Sequence, residues 1–227
     1  MVVPPFVPDA LEVEGSVVGE RYAARLAFIR KVARWHLASV VGVLLLAYSG
    51  IPAIPLEASA PLLILSVILL SLVRQVRRFS AHEQIFSLAL SPLMFVSLAY
   101  VLKEAMALGA PVWSPIVGLL CAVSYAHVAG RDFSFVWAFI LSGAASTAII
   151  LLGSATITRA GSTPLAAAIN LAYLLYWVYD LACLQSRRRR HEVGGAVIDL
   201  YRDVLNFVTY SFRVVLHWRR YRIWAAK

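Results

Sequence analysis

The sequence predicts an all-α polytopic membrane protein with seven transmembrane helices. Three observations predict it. First, 61% of the 227 residues are hydrophobic and only 15% are charged, more apolar surface than a soluble domain of this size can use. Second, the apolar residues fall into successive runs, each near the ~20 residues that cross a bilayer. Third, the basic residues behind the net charge of +9 sit in short clusters between the runs. That pattern sets membrane topology and argues against a nucleic-acid partner.

Residues 1–19 contain Pro, Val and the acids Asp9, Glu12 and Glu14, and are expected to form a mobile tail. They lack a basic segment ahead of an apolar core, so no cleavable signal peptide is expected. Residues 20–37 are basic and amphipathic and read as a collar leading into the first helix. The seven helices are expected near 33–51, 59–76, 84–102, 111–128, 134–153, 164–183 and 196–218. Pro92 is expected to kink the third, and Gly143, Ala144, Ala145 and Ser146 permit close packing of the fifth. Residues 20–220 would form a single membrane domain, followed by a short basic tail at 221–227. Arg21, Arg25, Arg30, Lys31 and Arg34 precede the first helix, and Arg187 to Arg190 follow the sixth. This excess places the N-terminus in the cytoplasm, whereas Arg219, Arg220, Arg222 and Lys227 pull the other way.

The last run is apolar, yet it carries Asp199, Arg202, Asp203, Asn206, Tyr210 and Arg213. Their spacing puts all six on one helical face. The opposite face is apolar, from Val197 and Leu200 to Phe212 and Val215. One charge at the bilayer centre costs ~3 kcal/mol, so this stripe must face protein or a water-filled path. The sixth helix adds Asp180, with Asn170, Tyr173 and Trp177 on the same face. The linker between the two helices is short, so Asp180 and Asp203 can meet. Two carboxylates in contact at low dielectric share a proton and titrate as a pair, which makes a pH sensor. The competing reading is a structural salt bridge of Asp199 or Asp203 with Arg202.

Enzyme signatures are not legible. Tyr179-Asp180 matches half of an intramembrane aspartyl-protease pattern, but Tyr201-Arg202-Asp203 lacks the glycines of the other half. His36, His82, His127, His191 and His217 are scattered, and no HExxH pair exists. The protein is expected not to be an enzyme and to need no cofactor.

Four segments carry a family resemblance: RLAFIRKVARWHLA near the start, GRDFSFVWAFILSG at the fourth-to-fifth helix junction, YWVYDLACLQ in the sixth helix and AVIDLYRDVLNFVTYSFRVV in the last. In order and spacing the chain resembles the transmembrane Bax inhibitor motif (lifeguard) family, and within it the bacterial calcium-leak members. The resemblance implies two three-helix layers around a central C-terminal helix. It implies a pH-dependent calcium leak, gated by a hydrogen-bonded aspartate pair that carries over onto Asp180 and Asp203. A basic residue that engages the pair carries over onto Arg77, with Arg74 or Arg78 if the register slips. Asn206 and Arg213 carry over onto the last helix, Tyr210 is expected to line the path beside them, and Asp199 and Arg202 to form an extra local salt bridge retuning the sensor. The implied partners are the lipid bilayer, protons and calcium, which is the permeating ion and is bound only weakly and transiently at Asp180 and Asp203. A monomer in the plasma (inner) membrane is expected if the source is prokaryotic. The alternative is a non-conducting regulator that binds a membrane protease or another membrane complex. The chain departs from the family at Ser66, where leak members carry an acid that meets the last-helix arginine, and at Phe86, near a position that is often acidic. Asp199 and Arg202 stand where the family has small or apolar residues.

Overall fold

The computed structural model describes residues 13–49, 52, 54–73, 80–157 and 162–209, and in these the regular structure is helical with no strand. The helices are α1 (Tyr22–Tyr48), α2 (Leu56–Val73), α3 (Ser80–Ala107), α4 (Ser114–Val128), α5 (Phe135–Ile157), α6 (Thr163–Arg187) and α7 (Val193–Thr209). Helices α1, α2, α3, α5 and α6 are each long and apolar enough to cross a membrane. Helix α4 is apolar but shorter. Large apolar side chains such as Leu45, Ile85, Trp137 and Leu152 are exposed along these helices, as a lipid-facing surface requires. The protein is a helical membrane protein.

Local chemistry explains the element ends and interruptions. Pro115 and Pro164 sit in the first turns of α4 and α6, where a missing N–H costs nothing. Gly109 and Gly130 take positive φ of 83° and 56° in the turns that follow α3 and α4. Helix α3 runs through Pro92, which cannot donate to Leu88 O. Ser91 Oγ donates to that carbonyl instead, at 2.9 Å. In an apolar environment this satisfies a group that water cannot reach.

The collar and the first span form one unbroken helix, because nothing between Tyr22 and Tyr48 stops it. The segment expected as a mobile tail is in part ordered. From Val13 to Gly19 it packs on the α6–α7 junction, with Val17 fully buried and its N–H donating to Arg188 O at 2.9 Å. Val17 supplies the reason, since it completes the core at that end.

Helices α4, α5 and α6 pack on one another, α2 pairs with α3, and α1 joins α3 to α4. Helix α7 contacts α1, α2, α3 and α6. Ile29, Leu70, Met94, Leu119, Leu174 and Leu200 belong to one continuous core. Both faces of α7 are buried over its first half: Val197 and Leu200 as well as Asp199 and Arg202. Its amphipathic pattern therefore marks two kinds of protein contact rather than protein against lipid.

One end of the bundle gathers several segments. Tyr22 Oη donates to Gly130 O and accepts from Phe133 N–H. Val13 N–H donates to Ser186 O, and Glu83 at the start of α3 meets Arg188. The N-terminal segment, the start of α3, the α4–α5 connection and the α6–α7 connection thus share that end.

Candidate functional site: a buried ionic ladder

Helix α6 presents four polar side chains along one face, and each is used differently. Asn170 Nδ2 donates to Ser146 Oγ of α5 at 2.8 Å, with Asn170 fully buried. Tyr173 Oη meets His36 Nε2 of α1 at 2.8 Å. Trp177 stacks at 6.3 Å on the same imidazole. One turn on, Asp180 is 2% exposed.

Asp180 and Asp203 are brought onto one guanidinium. Arg187 Nη1 lies 3.2 Å from Asp180 Oδ1 and 2.9 Å from Asp203 Oδ2. Asp180 and Arg187 are two turns apart on α6, so they share a face, and Asp203 approaches from α7. Charge-assisted contacts of this length are strong in a dry interior. An arginine thus bridges the two aspartates. In the sequence Arg187 stands only as the first of the four arginines that follow the sixth apolar run.

Asp199 and Arg202 extend the site. Arg202 Nη2 lies 2.7 Å from Asp199 Oδ1 and 2.9 Å from Asp203 Oδ1. Asp199 Oδ2 accepts from Arg188 Nε at 2.6 Å, and Arg188 donates through both terminal nitrogens to Glu83, at 2.7 and 2.8 Å. Glu83, Arg188, Asp199 and Arg202 are all almost wholly buried. The result is a ladder of alternating sign: Glu83, Arg188, Asp199, Arg202, Asp203, Arg187, Asp180. It ties α3, the α6–α7 junction, α7 and α6 together. Each ion taken from water costs several kcal/mol, and only the alternation compensates that cost. Burial disfavours the charged form of Arg188, but Asp199 and Glu83 outweigh it and raise its pKa above the ordinary range. The rung stays cationic at any pH the protein meets.

Glycine makes room for the ladder. A Cβ on Gly195 would stand 2.7 Å from Arg188 Nη1 and 3.0 Å from its Cζ. Sequence reasoning missed Glu83 and Arg188. A signal existed for Glu83: an acid in the first turn of a membrane helix, one turn before Phe86. Phe86 itself is half exposed. Ser66 is buried and donates to Leu63 O at 2.7 Å. Arg77, Tyr210 and Arg213 lie outside the described residues, as do Arg74, Arg78 and the side chain of Asn206.

Among the described residues no three His, Cys, Asp or Glu side chains converge as a metal site. What the ladder offers chemically is four carboxylates and three guanidiniums in alternation inside an apolar bundle. No family model, curated protein or solved structure matches the chain.

Proposed function

We propose that this protein is a pH-sensitive calcium (cation) leak of the bilayer, resembling the transmembrane Bax inhibitor motif family, with Asp180 and Asp203 as its sensor. The observation that carries the proposal is the meeting of Asp180 of α6 and Asp203 of α7 on Arg187, inside an apolar helical bundle. A buried charged cluster with members on several helices is costly, and in membrane proteins such clusters mark ion or proton paths. Here the two acids lie on the helices that would have to separate to open a path.

The mechanism is electrostatic. With both acids ionised, Arg187 and Arg202 hold Asp203, and Arg187 holds Asp180. Proton gain at the pair removes the charge that attracts these guanidiniums, so acid loosens α6 from α7. Asp199, Glu83 and Arg188 sit beyond Arg202 and hold the far end of the ladder in place. The equilibrium shifts only by the difference in proton affinity between the held and loosened states, about 1.4 kcal/mol for each unit of pKa difference. Helices α4 and α7 complete a seven-span layout, the gathered end faces the cytoplasm, and the protein acts as a monomer without a cofactor or catalytic step.

Calcium flux into liposomes, followed across pH, tests the proposal. Wild-type flux changes about tenfold through the titration of the pair, and Asp180→Asn and Asp203→Asn flatten the profile. Superimposable profiles in all three proteins would remove the sensor.

A further inference from the structure

Arg187 is the last residue of α6, and its Nη1 stands between two carboxylates from different helices. A bound cation takes that position in a carboxylate pair. Asp180 Oδ2 is fully buried and has no hydrogen-bond partner among the described residues. The site thus contains a cation held by tether and a ligand oxygen not yet used.

The backbone on both sides of Arg187 is pinned. Val13 N–H donates to Ser186 O at 3.0 Å, and Val17 N–H to Arg188 O at 2.9 Å. Arg189 Nε donates to Glu14 O at 3.2 Å. The Arg188 side chain is locked on Glu83 and Asp199. Residues 13–17 form a strap across the junction, so the stem of Arg187 cannot drift with a fraying helix end.

We propose that Arg187 is a tethered cation: its guanidinium fills the position between Asp180 and Asp203 that a divalent ion would take, and the strap holds it there. The purpose of the site rests on the leak proposal, but self-occupancy is a separate property. Among the described residues two carboxylates converge on that position, so the vacated site is a weak one, completed by water and suited to a calcium-class ion in transit. Entry of that ion requires Arg187 to leave, which makes the side chain the selectivity and exclusion element of the site. Loosening the strap shifts the exchange toward the free ion.

Equilibrium binding of radioactive calcium to the full-length protein in detergent, at neutral pH, tests this. Arg187→Gln binds calcium about tenfold more tightly than wild type, and adding Asp203→Asn removes the gain. Free guanidinium ion competes calcium from Arg187→Gln. Folded Arg187→Gln with wild-type affinity overturns the proposal. If that variant does not fold, Arg187→Lys carries the test. Its shorter reach and point charge fill the site less well, giving about threefold tighter calcium binding, and no change overturns the proposal. Val17→Asp, which expels the strap, raises affinity in the same direction, and an unchanged value overturns the strap's part. The binding measurement needs no conduction. Flux without pH response alongside the binding gain would sink the leak and leave the tether, and the reverse result would do the opposite.

Discussion

At the scale of single residues, the ladder works because no charge lacks an opposite neighbour. Arg188 is the clearest case, since it joins Glu83 to Asp199 with all three at most 2% exposed. Arg188→Met would leave two buried carboxylates facing each other. The expected loss is about 3–5 kcal/mol, read by thermal or chemical unfolding in detergent, with partial recovery on adding Glu83→Gln. A loss near zero would mean that water reaches this site. The pairing partners were poorly legible in the sequence. Asp180 and Asp203 stand out because acids are rare in apolar runs. Arg187 and Arg188 sit in a run of four arginines, and nothing local tells a topology-setting arginine from a buried one. Only the approach of α3 and α7 makes that distinction.

At the scale of elements, α6 joins three other helices through its polar face. It touches α5 through Asn170, α1 through Tyr173 and Trp177, and α7 through Asp180 and Arg187. Its contact with α4 depends on Gly118, because a Cβ there would overlap Asn170 Oδ1. Gly118→Ala is expected to destabilise by about 1–3 kcal/mol through overpacking. The same change in an Asn170→Ala background should cost much less, because the overlapping atom is gone. A double-mutant cycle of unfolding free energies measures this, and additive costs would refute the contact. The helix pattern itself was legible, since each apolar run folds as a helix. Helix ends were less so. The first helix begins at Tyr22, not near residue 33, because its basic collar continues in helical geometry and packs on α4, with Arg30 Nε donating to Ala126 O at 2.8 Å.

At the scale of the whole molecule, the N-terminal segment and the α4–α5 and α6–α7 connections share one end of the bundle. If that end faces the cytoplasm, Arg131 and Leu108 lie on opposite sides of the membrane. Both residues are exposed. In a background with Cys121 and Cys183 replaced by Ala, Arg131→Cys should resist a membrane-impermeant maleimide applied outside intact cells, while Leu108→Cys reacts. Labelling of both from the same side would break the seven-span layout. The burial of both faces of α7 over its first half was only partly legible. Its stripe required a protein or aqueous neighbour, but its apolar face is compatible with lipid until the other helices are placed around it.

The sequence by itself determined the class of the protein, because hydropathy and charge clustering follow from the cost of placing each side chain in hydrocarbon. It also singled out two acids, since an ion in an apolar run is expensive wherever it lies. Arg202 was already offered by the sequence as a partner of Asp199 or Asp203; the tertiary structure alone added Arg187 and Arg188, and decided that the N-terminal segment straps the junction carrying them. These are long-range pairings: Glu83 meets Arg188, and Val17 meets the same residue's carbonyl. A buried charge is stabilised by whatever stands within a few ångströms of it, and that neighbour is fixed by the packing of helices, not by position along the chain.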